Sequence, residues 1–199
     1  MVNLRLFRTA VLALAYCWSA NAVNEATASS PTAAKAPSSE QAANSEMREL
    51  FAADQAIRLE VEKRGGWIAV KDDKAFLKIW ENGDLERLNR TKELLNSNSL
   101  QAGIDFYYAA FIFQHSDKPE DFLKAHHLAV IAISKGYDAG WISAATLDRF
   151  LQAVGRQQIY GTQYRANEEG KYIRQPVEIG IVSDAERAQL NVPALTDDK

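Results

Sequence analysis

Three histidines occur in the chain, and one of them, His115, sits in QHSD with a carboxylate two residues on, at Asp117. An imidazole beside a carboxylate is suited to general base chemistry. At a helix end the same imidazole interacts well with the helix dipole, and Asp117 can cap the segment that follows. His126 and His127 are adjacent, and helical neighbours diverge by about 100°. They do not converge readily on one ion, so no metal site is expected. Farther on, LDRF sets Asp148 at the rim of an apolar helix face and points Arg149 nearly the other way. A half-buried carboxylate needs donors. Tyr160, Thr162 and Gln163 in GRQQIYGTQYR can supply them.

In that stretch Gly155 ends a helix and Gly161 permits a bend or a close backbone approach. Read as a strand, it puts Gln158, Tyr160 and Thr162 on one face, aimed at Asp148, with Ile159, Gly161 and Gln163 on the other. Two readings follow. In the catalytic one His115 is a base, Asp148 its orienter or a second carboxylate, and Arg149 with the YGTQ donors a clamp for an anion or carbonyl. In the structural one Asp148 pins a hairpin to the helix. The chain has no Walker loop, dinucleotide fingerprint, HExxH or GxSxG, so no cofactor is expected.

The elements that must position these residues are mostly helices. SEMRELFAADQAIRLEVEK begins at Ser45 as N-cap, and Gly65-Gly66 stop it. WIAVKDDKAFLKIW is ambiguous. Asn82-Gly83 reads as a break, after which Asp84 caps LERLNRTKELLN, with Leu85, Leu88 and Leu95 on one side. LQAGIDFYYAAFIFQH is apolar almost all round and should be buried. Pro119 opens the next helix and Gly136 closes it. The helix carrying Asp148 shows Ala144, Leu147, Leu151 and Val154 on one face. QIYGTQYR and YIRQPVEIG form a hairpin around ANEEG, with Pro176 limiting the second strand. SDAERAQLNVPAL closes the domain, with a Ser183/Glu186 capping box and Asn191 in the left-handed position. The fold expected is mainly α (α+β): a helical-hairpin stack with a short C-terminal β-hairpin. No second copy recurs at a fixed period, so no repeat array is expected.

ADQAIR (Asp54, Gln55, Arg58), QHSD (His115, Asp117), LDRFLQAVGRQQIYGTQY (Asp148, Arg149, Gln158, Tyr160, Thr162, Gln163) and SDAERAQLNVPAL resemble a bacterial domain family catalogued only as of unknown function. Its pattern is DQxxR, QHxD, a DR pair and GxxQxYGTQ. The resemblance spans roughly residues 50–195. Gln157 stands where Pro is expected and Asn191 where Gly is. The resemblance implies no activity, substrate or cofactor. It implies that Asp54, Arg58, His115, Asp148, Arg149 and the YGTQ residues belong together.

The chain has 199 residues, 47 % hydrophobic and 25 % charged, which suits one domain with appendages. Residues 1–22 read as a signal peptide: Arg5 and Arg8, the apolar TAVLALAYCW, then ANA before a cleavage site. The sole cysteine, Cys17, lies within it. Cleavage there leaves no disulfide, thiol nucleophile or cysteine metal site. Anchoring as a lipoprotein at Cys17 is the alternative, against which stands the bulky Tyr16. Residues 23–45 are rich in Ala, Ser, Thr and Pro and read as a disordered linker. Residues 46–199 are the domain. A net charge of -3 with no dense Lys/Arg run argues against nucleic acid, and nothing downstream of the leader spans a membrane. The function expected is an exported, soluble binding or interaction module in the periplasm or outside the cell. Its partner would be a protein or a small polar ligand. The alternative is a hydrolase-type enzyme.

Overall fold

The computed structural model describes residues 43–167 and 169–195. The leader at 1–22 and nearly all of the 23–45 linker lie outside these residues. Among them the order is α1 (Ser45–Lys63), α2 (Trp67–Val70), α3 (Lys74–Asn96), α4 (Gly103–Phe113), α5 (Pro119–Ser134), α6 (Gly140–Ala153), β1 (Tyr164–Ala166), β2 (Tyr172–Arg174) and α7 (Asp184–Gln189). The protein is mainly helical, with one short antiparallel hairpin near the C-terminus, as expected. Among the described residues no helix is long and apolar enough to cross a membrane.

Local chemistry sets most ends. Asn44, one residue before the expected Ser45, caps α1 by accepting from Met47 N at 2.9 Å. Gly65 and Gly66 both take positive φ after α1, and Gly136 and Gly155 do so after α5 and α6. Ser183 and Glu186 form the capping box of α7, and Asn191 sits at φ 57°. The buried Asp105 carboxylate accepts from Gln101 N, Ala102 N and Asn44 N, so one side chain caps α4 and ties it to the start of α1.

One break is absent. α3 runs straight through Asn82-Gly83 and is capped by Asp73, not by Asp84. Glycine inside a helix costs about 1 kcal/mol. Here it leaves room for a neighbour: a Cβ on Gly83 would lie 2.9 Å from Arg87 Nη1. Leu85, expected on the buried side with Leu88 and Leu95, is 57 % exposed.

The core is the α4–α5–α6 stack with α1 and α3 across it. Ala125, Leu128, Ala129 and Ala132 of α5 are fully buried against Ala109, Ala110 and Ile112 of α4 and Ile142 of α6. The small alanines let the helices approach closely. Contacts between Gly103 and Ala132 and between Ser116 and Asp121 make α4 and α5 antiparallel. His126–Ser143 and Phe122–Arg149 contacts do the same for α5 and α6. The C-terminal ends of α4 and α6 therefore lie at the same end of the stack. Val61, Val70, Phe76 and Trp80 form a smaller core under α2. The buried surface of α6 differs from the single face expected: Ile142, Ala145, Thr146, Asp148 and Arg149 are buried, while Val154 is half exposed. α6 is covered on two sides, by α5 and by the chain that follows it.

Candidate functional site

Asp148 and Arg149 are sequence neighbours on α6, so their side chains diverge. Asp148 enters a polar cluster whose partners Arg149 does not share. The resemblance groups them as one set with the YGTQ residues; the structure divides that set in two.

The Asp148 cluster is a clasp. Its carboxylate is fully buried and accepts from Ile159 N (2.7 Å), Tyr160 N (3.0 Å), Thr162 N (3.0 Å) and Thr162 Oγ1 (2.8 Å). Residues 159–162 wrap the anion with their backbone, a loop and not the strand expected; pairing into β1 begins only at Tyr164. Gln158 accepts from Gln163 N and donates to Gln163 O and Gln175 O. Gln163 donates to Ala145 O of α6. On the outer side Arg187 of α7, buried, donates to Ile159 O and Tyr160 O. The Asp148 partners are thus mainly backbone N–H groups, with the Tyr160 hydroxyl not among them. Nothing in this cluster faces His115, so the expected pairing of His115 with Asp148 does not form.

Gly161 makes the wrap possible. Its φ is +83°, and a Cβ there would lie 2.6 Å from Leu195 Cδ2. Gly161→Ala is expected to destabilise by about 1–3 kcal/mol through backbone strain, read as a lower urea midpoint with unchanged slope. An unshifted midpoint would show that the loop does not hold this conformation.

The second cluster is ionic and is built from α1, α3 and the end of α4. His115 Nδ1 lies 3.0 Å from Asp54 Oδ1, and Arg58 Nε donates to His115 Nε2 at 3.2 Å. A guanidinium can only donate, so Nε2 accepts and Nδ1 carries the proton to Asp54. Arg58 also meets Asp54 Oδ1 at 2.9 Å and holds Asp84 with both terminal nitrogens at 3.1–3.2 Å. Arg87 pairs with Asp84, and Gln55 donates to Asp54 Oδ2. The Asp54 and His115 side chains are each 1 % exposed. The carboxylate beside His115 is therefore Asp54. Asp117 is exposed; Ser116 and Asp121 make the turn contacts instead. An open groove of about 630 Å³ between α1 and α3, lined in part by Ile57, Ile79, Trp80 and Gly83, reaches this network at Arg87.

Burial, reinforced by the Arg58 charge, holds the His115 pKa below its usual value against the pull of Asp54 and Asp84. Burial alone would raise Asp54, but His115, Arg58 and Arg87 outweigh it and the net direction is down. With His115 neutral, the two guanidinium groups carry that attraction. The unfolded chain protonates this histidine near pH 6.5 (about) and the folded chain only at lower pH. The unfolded state then binds more protons, so stability falls on acidification below about pH 6.5, by up to about 1.4 kcal/mol per unit. Asp54 adds a second loss, which starts near the unfolded value of about 3.9 and proceeds as pH falls through its lower folded pKa. Urea unfolding between pH 4 and 8 checks the histidine limb, which His115→Gln should flatten, and extending it below pH 4 checks the Asp54 loss. Stability that rises from pH 7 to 5 would contradict it.

Arg149 is 8 % exposed. Its guanidinium lies 5.8 Å from the Phe122 ring, its Nε has no hydrogen-bond partner, and among the described residues it forms no ion pair. Burial and the Arg58 charge hold its pKa down to about 10, so it is still a cation at neutral pH. Gln114, fully buried beside His115, leaves both amide atoms unpartnered.

Comparison with known proteins decides nothing further. No family model, curated protein or solved structure matches the chain. The site must be read from its own chemistry.

The other expectations divide as follows. His126 binds the Ser143 carbonyl while His127 is exposed. Among the described residues no three His, Cys, Asp or Glu gather to hold a metal ion. Sequence reasoning missed Asp84, Arg87, Gln114 and Arg187. Asp84 and Arg87 carried a signal, since helix spacing of acid and base in DLER echoes Asp54 and Arg58 in DQAIR. Gln114 carried one only as the first residue of QHSD.

Proposed function

We propose that this chain is a binding module of the cell envelope, exported behind the leader at 1–22 and joined to it by the 23–45 linker. Its occupant is a small polar ligand held at the ionic centre of α1, α3 and the end of α4. The observation that carries this reading is the state of His115. Both ring nitrogens are engaged, one with Asp54 and one with Arg58, so the ring presents no free lone pair to abstract a proton. Its role is to organise charge. The centre holds two guanidinium groups, Arg58 and Arg87, against two carboxylates, Asp54 and Asp84.

Thermal unfolding of the full chain against small acids, amines, amides and sugars tests this. A ligand at a hundred times its Kd stabilises by about 2.7 kcal/mol, on the order of 5–10 °C for a domain of this size. A compound giving such a shift supports the reading. The hydrolase reading rests on the His115–Asp54 pair and requires Arg58 to leave Nε2. Turnover of esters or phosphate esters that disappears in a folded His115→Gln variant would put it in place of the binding reading.

A further inference from the structure

We propose that the outer face of α1 and α3 is a two-fold interface, and that its occupant is a second copy of this chain laid antiparallel across it. The inference is separate from the binding reading, which uses the inner faces of the same two helices.

The face is built like one side of a helical bundle. α1 and α3 run antiparallel, since Glu46 meets Arg90 and Arg64 meets Asp73. On α1 the exposed residues Glu49, Ala52, Ala56, Leu59 and Lys63 follow one another at spacings of 3, 4, 3 and 4. On α3 the exposed Lys78, Asn82, Leu85 and Asn89 follow at 4, 3 and 4, with Ile79 and Glu86 beside them. That spacing lines one side of a helix and is the seam along which bundle helices pack. Nothing among the described residues covers either stripe: Ile79 is 66 % exposed and Leu59 50 %. Between the stripes runs the groove of about 630 Å³, kept shallow-walled by the small residues Ala53, Ala56 and Gly83. Large apolar side chains grouped in the open beside a groove, with polar residues at the rim, mark an interaction surface.

Charge selects the occupant. The arginines around the groove are committed within the chain: Arg64 to Glu60 and Asp73, Arg87 to Asp84, Arg90 to Glu46 and Glu93. Four exposed charges on the face, Glu49, Lys63, Lys78 and Glu86, make no ion pair among the described residues. They are sorted by end. Lys63 closes α1 and Lys78 stands in the early turns of α3, so both lie at one end of the antiparallel pair. Glu49 and Glu86 lie toward the other end. A face that is positive at one end and negative at the other is complementary to itself turned end for end.

Symmetry then fixes the arrangement. The two-fold axis between two facing copies lies in the plane of contact, and for helices to pack along their length it runs either along them or across them. Along the helices it sets Lys63 near Lys78 of the other copy and Glu49 near Glu86, like charge on like, which is repulsive. Across the helices, at the level of Ala56 and Asn82 on the same groove, it sets unlike on unlike. Glu49 and Lys63 each stand seven residues from Ala56, and Lys78 and Glu86 each stand four from Asn82. Each of these pairs therefore forms twice. The same operation brings Ile79 level with Leu85, which stand three residues to either side of Asn82. Two helices side by side give a footprint about 20 Å wide and about 25 Å long. The corrugated surface over it is of the order that a standard dimer buries, roughly 800 Å² per partner.

Analytical ultracentrifugation of the full chain tests this. A monomer–dimer equilibrium is expected with a Kd of roughly micromolar order, weaker at high salt because the end pairs are screened. Ala56→Arg sets two guanidinium groups against each other at the axis and should leave only monomer. Ala56 is exposed, so the Tm of this variant should stay within about 2 °C of wild type. Glu49→Lys alone, or Lys63→Glu alone, should weaken association by about tenfold or more. The two changes together exchange the partners of each pair and should restore it. That exchange decides the matter by itself if Ala56→Arg unfolds the domain. A chain that stays monomeric up to about 1 mM would overturn the proposal, and so would a dimer that Ala56→Arg leaves intact. A double exchange that associates no better than the single changes would overturn the antiparallel arrangement.

Discussion

Asp148→Ala is expected to lower folding stability by about 3–5 kcal/mol, the cost of breaking a buried charged contact. At roughly 2–4 °C per kcal/mol for a domain of this size, the Tm falls by about 6–20 °C in circular dichroism melts. The carboxylate accepts four hydrogen bonds, three of them from backbone N–H groups of Ile159, Tyr160 and Thr162. Alanine leaves those donors facing a hole that offers no acceptor. The loop they define is also where Arg187 grips α7, so losing it loosens the hairpin and α7 together. Asn is no rescue, since its NH2 would point a donor at donors. A Tm within about 2 °C of wild type would show that residues 159–162 hold their shape without the anion.

Arg58→Ala is the second large effect, also about 3–5 kcal/mol. One guanidinium serves Asp54, Asp84 and His115 at once. Its removal strands Asp54, which is 1 % exposed, with only Arg87 at 3.8 Å as a cation. Lysine should restore little, because a single ammonium cannot hold Asp84 at two nitrogens while donating to His115. Adding Asp54→Ala to Arg58→Ala should cost far less than the two changes separately. The coupling expected between directly paired groups is about 0.5–3 kcal/mol in double-mutant chemical unfolding. Additive effects would mean that the ion pair contributes nothing and that the network is held by packing alone.

The clasp and the ionic centre differ in how far the sequence exposes them. The role of Asp148 as an anchor for the Gly161 segment was legible, because the carboxylate and its partners lie within 14 residues on one helix and the loop after it. Of the expected side-chain donors Thr162 Oγ1 does reach it, but the other three partners are backbone N–H groups, turned inward by a Gly at positive φ that no side-chain pattern encodes. His115 was legible as a residue able to do chemistry, but its true partner, Asp54, is 61 residues away. Asp117 lies closer in sequence, yet it falls in the turn and faces solvent.

By itself the sequence determined the elements whose causes are local. Glycines at 65, 136 and 155 end helices because only they enter the left-handed region without cost. Ser183 with Glu186 starts α7, and the apolar wrap of α4 buries it. Only the tertiary structure decided that α3 is unbroken at Gly83, beside which the Arg87 guanidinium lies. It alone decided that of the adjacent residues Asp148 and Arg149 one is clasped by the following loop and the other lies over Phe122 of α5, because α6 is covered on both sides. It also decided which buried polar atoms find partners and which, among them Arg87 Nε, Arg149 Nε and both Gln114 amide atoms, do not. Partner assignment among buried polar groups depends on contacts between distant segments, and those distances are set by how the helices pack.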